Sequence, residues 1–315
     1  MKIDYINNVA IIGTGMIGSG MGVLFTGHGY RTTMLAVNDK EAEAGQARYD
    51  AYFRDLIDKK LVTEEQAKIC GKYLNITQSY GDLAEADFIL ECVVEKLEVK
   101  YGVYELIEEN CKKFKALASS TSALSADDLC KGVKAKDRFA VAHPYNPPHL
   151  VPCVEIVPSA DAGPETIKII DEFFRSVGRE PVTMFKAAPG FIANRLQHAL
   201  YREAVYMVES GIAAPEAIDQ ALKTSFAPRY TSVGIFEHFD YAGLDMIAGI
   251  HGYLFPTLCN ANEVQDLVRD CCERGDLGFK TGKGVYDWSE KDADLFRKRS
   301  SEPYFRLFNW SMPSK

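Results

Sequence analysis

Residues 8–18 read NVAIIGTGMIG: an apolar run from Asn8 to Ile12, then Gly13-Thr14-Gly15-Met16-Ile17-Gly18. The run is short, apolar and closed by glycine, which predicts a buried strand. From Ile17 to about His28 the apolar residues follow a helical pattern. A GxGxxG turn held between a strand and a helix is a dinucleotide fingerprint, and each glycine in it has a mechanical reason. Gly13 permits the tight turn, Gly15 lets the backbone approach a pyrophosphate, and Gly18 lets the helix pack close to the strand. The helix N-terminus, with Met16, Ile17 and Gly18, then attracts the anion.

Outward from this turn, strands and helices alternate. Strands are expected at Thr32 to Leu35, Asp87 to Leu90, Ala116 to Ala118, Phe139 to Ala142, Val154 to Ile156 and Pro181 to Met184. Helices are expected from Asp39 to about Lys60, Thr63 to Lys72, Glu98 to Cys111, a start near Ser125, and Pro164 to Val177. This alternation predicts a doubly wound, Rossmann-type α/β domain over residues 1–186. Near Lys186 the pattern changes, and Pro189-Gly190 punctuates the chain. An amphipathic helix follows, with Ile192, Leu196, Ala199, Leu200, Ala204, Met207 and Val208 on one face and Gly211 at its end. Further helices are expected at Pro215 to Thr224 and Glu237 to about Leu254, giving an all-helical C-terminal domain over 187–315.

Strand Thr32 to Leu35 ends where an NAD-binding fold usually places an acidic residue on the ribose diol. Ala36 stands there, followed by Val37, Asn38 and Asp39. NAD is the expected cofactor, with Asn38 or Asp39 reaching the diol, and the missing carboxylate leaves NADP open. Ser119-Ser120-Thr121-Ser122 closes another strand. Ser125 reads as the cap of the next helix, which frees Ser122 for a ligand.

Residues 139–158, FAVAHPYNPPHLVPCVEIVP, carry the candidate chemistry. Four prolines hold the chain extended between two apolar runs. His143 closes the first run, and Glu155 lies inside the second. An imidazole oriented by a carboxylate on a neighbouring strand is a general base near neutral pH. A buried, satisfied histidine and a solvent-facing strand glutamate fit the same residues.

The net charge of -8 argues against a nucleic-acid surface, and no run approaches membrane-spanning length. The N-terminus MKIDYINN lacks an apolar signal region. The eight cysteines are scattered without metal-ligand spacing, so reduced thiols, no metal site and a cytoplasmic location are expected. Lys59, Lys60, Lys68 and Lys72 line a helical pair, read either as solvated surface or as a face toward substrate phosphates.

Taken together, GTGMIG, ECVVEKLEVK at Glu91, SSTSAL at Ser119, HPYNPP at His143, VEIV at Val154, PGFIANR at Pro189 and GFKTGKGVYDW at Gly278 resemble the L-3-hydroxyacyl-CoA dehydrogenase family along nearly the whole chain. The resemblance implies His143 as catalytic base, Glu155 as its partner, and Ser122 with Asn194 on the reacting oxygen. It implies dinucleotide contacts at Gly13, Gly15, Gly18, Glu95, Lys100, Ser122, Asn146 and Lys280. It also implies a homodimer through the helical domain, where Tyr201, Met207, Phe236 and Phe239 fit contact positions and core positions equally. The implied reaction is reversible NAD-dependent oxidation of a short-chain (S)-3-hydroxyacyl-CoA. HPYNPPHLVPCVEIVP and Arg229-Tyr230 look more like the L-gulonate dehydrogenase and lambda-crystallin branch. There Arg229 would clamp the carboxylate of a free 3-hydroxy acid. A non-catalytic nucleotide-binding or structural protein is the alternative of another class.

Overall fold

The computed structural model describes residues 2–308, 310, 312 and 313. The chain divides into two units, Met1–Ile192 with Lys298–Lys315, and Ala193–Arg297.

The first unit begins with β1 (Asn8–Ile12). Val9 and Ile11 enter one apolar cluster, and Ala10 and Ile12 enter a second. Successive strand side chains point to opposite faces, so both faces of β1 are buried and both need covering layers. After β1 come α1 (Met16–Gly27), β2 (Arg31–Leu35), α2 (Asp39–Asp58), α3 (Glu64–Gly71), β3 (Leu74–Thr77), β4 (Phe88–Glu91) and α4 (Leu97–Asn110). The unit continues with β5 (Ala116–Ser119), α5 (Ala126–Cys130), β6 (Phe139–Pro144), β7 (Cys153–Pro158), α6 (Pro164–Ser176) and β8 (Glu180–Thr183).

The strands form one sheet in the order β3-β2-β1-β4-β5-β6-β7-β8. Neighbours from β3 to β6 pair parallel, β7 runs antiparallel to β6, and β8 is parallel to β7. Phe25 of α1 meets Phe173 of α6 at 5.0 Å between ring centroids, and Phe173 meets Phe88 of β4 at 4.2 Å. Opposite them, Tyr104 of α4 and Leu129 of α5 join Phe139 and Val141 of β6 in the second cluster.

Three local features depart from the sequence reading. Strand β3 was not expected: three of its residues are partly buried and Asn75 is exposed, so it lacks a clear apolar run. Ser125 occupies the N-cap position of α5, but its side chain makes no capping hydrogen bond. Asn38, considered for the ribose, instead caps α2, its side-chain oxygen accepting the Glu41 N–H at 2.9 Å.

The unit limits also differ from the expected 1–186 and 187–315. Phe191 is 3% exposed and belongs to the second apolar cluster of the first unit. Trp310 lies over α1, where a methyl group on Gly27 would come within 2.6 Å of its ring. The chain therefore returns to the first unit after the helical one.

The second unit contains α7 (Ala193–Glu209), α8 (Pro215–Thr224), α9 (Ile235–Ala242), α10 (Leu244–Leu254) and α11 (Asp266–Arg274), and α12 (Ala293–Phe305) starts in it. The single helix expected from Glu237 to Leu254 is broken at Gly243, whose φ of 97° no helix accepts. No helix among the described residues is long and apolar enough to cross a membrane.

Candidate active site

In the parallel part of the sheet, the turns after β1, β4, β5 and β6 all leave the carboxyl edge. That edge is where open α/β sheets bind ligands. The glycine turn, Glu95, Ser122 and His143 are thus carried to one side of the first unit by topology.

The glycine turn is shaped as its spacing requires. Gly13 has φ 110°, and a Cβ there would lie 2.7 Å from the Cys92 carbonyl oxygen. A Cβ on Gly18 would overlap the carbonyl oxygen of Gly13, so only glycine admits this helix–turn contact. A Cβ on Gly15 would meet nothing within 4 Å, leaving that side of the backbone open to a ligand. Gly15 caps α1, and the first turn of α1 carries no acidic side chain to oppose an anion. Met16 is 60% exposed at this terminus, and Ile17 packs partly against the core. These features fit a dinucleotide pyrophosphate.

At the end of β2, Ala36 is buried and Val37 is exposed. Asp39 accepts a hydrogen bond from the Gln78 amide at 2.5 Å.

His143 and Glu155 are direct partners in the antiparallel β6–β7 register. Directly opposed residues share a face with their Cβ atoms close together, which makes two residues twelve positions apart in sequence into neighbours in space. His143 Nδ1 lies 3.0 Å from Glu155 Oε2. Glu155 is 1% exposed and His143 6%, so the pair is shielded from water. Two further donors reach the same carboxylate: the Tyr145 hydroxyl at 2.8 Å on Oε2, and the Ile192 N–H at 2.8 Å on Oε1. The His143 ring packs against Tyr145 and Phe191, with centroids 4.7 and 5.4 Å away. His149, in the same stretch, lies apart from this group against Tyr52, and burial pushes its pKa down to about 3.

A second buried group stands at the end of β4. Lys100 Nζ, 1% exposed, pairs with Glu91 Oε1 at 2.6 Å and with Glu95 Oε2 at 3.2 Å. Glu91 also accepts the Val93 N–H at 2.8 Å, the Tyr104 hydroxyl at 2.9 Å and the Ser119 hydroxyl at 2.7 Å. Glu95 Oε1 accepts the Thr121 hydroxyl and the Ser122 N–H, the latter at 3.1 Å. Burial opposes ionisation of Glu95, but the Thr121 hydroxyl and the Lys100 ammonium outweigh it and hold the carboxyl below its ordinary range. Lys100, expected to touch a dinucleotide, is thus turned inward onto two carboxylates. Glu95 in turn holds the turn that carries Ser122, which is exposed.

Asn146 is exposed in the loop after β6. The remaining candidates belong to the second unit. Asn194 is half-buried in the first turn of α7, Lys280 is exposed between α11 and α12, and Arg229 is exposed before α9. Arg229 Nη1 donates to His238 Nε2 at 3.1 Å.

Sequence reasoning missed Glu91, Tyr104, Ser119 and Tyr145. Only Tyr145 carried a local signal: in an extended chain it shares a face with His143, two residues earlier.

Residues 8–188 match the family described as 3-hydroxyacyl-CoA dehydrogenase, NAD binding domain, and residues 190–288 match 3-hydroxyacyl-CoA dehydrogenase, C-terminal domain. The chain is 31% identical over 296 residues to a probable 3-hydroxyacyl-CoA dehydrogenase of Caenorhabditis elegans, covering 90% of this chain and 97% of the relative. It is 32% identical over 247 residues to an L-carnitine dehydrogenase of Nocardiopsis dassonvillei, covering 76% and 72% respectively. Among solved structures, 5-formyl-3-hydroxy-2-methylpyridine 4-carboxylic acid 5-dehydrogenase, described as an NAD+-dependent dismutase, superposes with a TM-score of 0.86. Its identity is 26%, covering 96% of this chain and 97% of that one.

Proposed function

Because the chain belongs to the 3-hydroxyacyl-CoA dehydrogenase family, we propose that it oxidises a short-chain (S)-3-hydroxyacyl-CoA to the 3-oxoacyl-CoA, reversibly, with His143 and Glu155 as its acid–base pair. The single observation that carries this reading is the 3.0 Å contact between His143 Nδ1 and a carboxylate held by two other donors. Nδ1 is committed to Glu155, so Nε2 takes the hydroxyl proton as the C–H bond breaks. The resulting imidazolium is stabilised by the buried carboxylate and returns the proton to the ketone in the reverse direction. The glycine turn of Gly13, Gly15 and Gly18 would hold NAD, which would supply the hydride acceptor. Ser122 and Asn194 are assigned to the reacting oxygen as hydrogen-bond donors. Glu95, Asn146 and Lys280 are assigned to the cofactor, and Lys100 acts through Glu95.

A second reading, oxidation of a free 3-hydroxy acid, is favoured by Arg229, which has no ion pair with a described carboxylate. The likeness to an L-carnitine dehydrogenase supports it too. Turnover of 3-hydroxybutyryl-CoA is compared with that of free 3-hydroxy acids, each with NAD and NADP. The acyl-CoA reading requires the thioester with NAD to give the highest kcat/KM, and a reversed ranking sinks it. In the free-acid reading, Arg229→Ala raises KM for the acid about 10- to 100-fold, the size of a lost charge-assisted contact.

The homodimer is proposed on the thin interior of the helical unit. Among its described residues only Val205 and Cys271 are buried, while Phe236, Tyr241 and Tyr253 are 89%, 93% and 72% exposed. Apolar surface of this extent calls for a covering partner, and a second copy satisfies it symmetrically. Sedimentation is expected at twice the 35.1 kDa chain mass, and a monomer at micromolar concentration overturns this. A cytoplasmic location is proposed with it, on the eight free thiols; fractionation of cells tests it, and recovery with secreted or membrane material counts against it.

A further inference from the structure

We infer that Thr121 is the positioning residue for Ser122: its hydroxyl clamps the turn after β5 to Glu95 and so fixes where the Ser122 side chain stands. The inference rests on the role proposed for Ser122 at the reacting oxygen. Thr121 is 2% exposed, whereas Ser122 beside it is exposed. The Thr121 hydroxyl donates to Glu95 Oε1, and it accepts the Leu124 N–H at 3.0 Å and the Ala123 N–H at 3.4 Å. A hydroxyl has one proton to give and two lone pairs to fill, so this one is fully used.

The rest of the turn is tied down as completely. The Ser120 N–H donates to the Glu91 carbonyl oxygen at 2.8 Å, and the Thr121 N–H donates to the Ser119 hydroxyl at 3.4 Å. The Ser122 and Ala123 N–H groups reach Glu95 Oε1 at 3.1 and 3.3 Å. Every backbone donor from Ser120 to Leu124 thus has an acceptor, and none of these bonds uses the Ser122 hydroxyl.

Behind the clamp, Lys100 holds the other Glu95 oxygen at 3.2 Å and Glu91 at 2.6 Å, so Glu95 is itself fixed to the end of β4. Thr121 is the side chain through which that buried framework reaches the turn. Without its hydroxyl, the Leu124 N–H loses its acceptor and Glu95 Oε1 keeps only backbone donors. A serine that must meet a reacting oxygen has to be held to within about half an ångström, and a turn loosened at Thr121 no longer does so.

The test is a double-mutant cycle on kcat for oxidation, with rates taken per NADH-binding site so that unfolded protein does not count. Its members are Thr121→Val, Thr121→Ser, Ser122→Ala and the Thr121→Val, Ser122→Ala double variant. Thr121→Val keeps the shape and deletes the hydroxyl, and kcat is expected to fall about 10- to 100-fold, the cost of a misplaced group. Thr121→Ser keeps the hydroxyl and is expected to recover most of that rate. In the Ser122→Ala background, Thr121→Val should cost less than about twofold more, because no side chain is left to position. An equal loss in both backgrounds would mean that Thr121 works through another group, and an unchanged kcat in Thr121→Val would make its hydroxyl a structural bond only. Either result overturns the inference and leaves the Ser122 reading standing, provided Ser122→Ala is itself slow. If Ser122→Ala turns over as fast as wild type, the Ser122 reading falls and takes this inference with it. Thr121→Ala takes the place of Thr121→Val in the same cycle if the valine variant does not fold.

Discussion

His143→Gln is expected to lower kcat for oxidation by about 10²- to 10⁴-fold, while NADH binding followed by fluorescence stays within about twofold of wild type. The range is what a positioned general base contributes. Glutamine fills much of the imidazole volume and offers the Glu155 carboxylate an amide donor, so the buried anion keeps a partner. The affinity readout separates chemistry from cofactor binding, because the glycine turn and the end of α1 are built from other residues. A variant with undiminished kcat would remove His143 from the mechanism.

Lys100→Met is expected to destabilise the protein by about 3–5 kcal/mol in chemical denaturation. The side chain is 1% exposed, and its loss leaves Glu91, 0% exposed, as a buried carboxylate without a cation. Three donors remain on Glu91, from Val93, Tyr104 and Ser119, and they soften but do not replace the ion pair. Glu91→Gln in the same chain should recover part of the loss by removing the stranded charge. A Lys100→Met protein as stable as wild type would mean that the pair contributes nothing net to folding. Catalytic efficiency is expected to fall as well, since Lys100 is one of the groups holding Glu95 ionised and Glu95 fixes the turn around Ser122.

The parts of the fold legible in the sequence are those governed by local periodicity or turn chemistry. NVAIIGTGMIG predicted β1 and the start of α1 because apolar runs and glycine spacing act over a few residues. The helix expected from Thr63 is α3, opened by a capping box in which Thr63 and Gln66 exchange hydrogen bonds over a span of three residues. His143 and Glu155 stood out because both lie in apolar runs that read as adjacent strands. What stayed hidden depended on distant partners. Nothing in ECVVEKLEVK tells a lysine facing solvent from one folded back onto a strand-end carboxylate nine residues earlier. The return of Trp310 to Gly27 spans most of the chain and has no spacing signature. β3 was hidden for the opposite reason: half-buried at the sheet's edge, it needs little apolar character and so shows little.

The antiparallel ladder joining β6 to β7 has five residue pairs, from Ala140 with Pro158 to Pro144 with Val154. Because side chains alternate faces, sliding one strand by a single residue would carry the glutamate through to the wrong face of the sheet. For the proposed acid–base pair, register is therefore all or nothing: a slipped pairing leaves the imidazole facing no carboxylate.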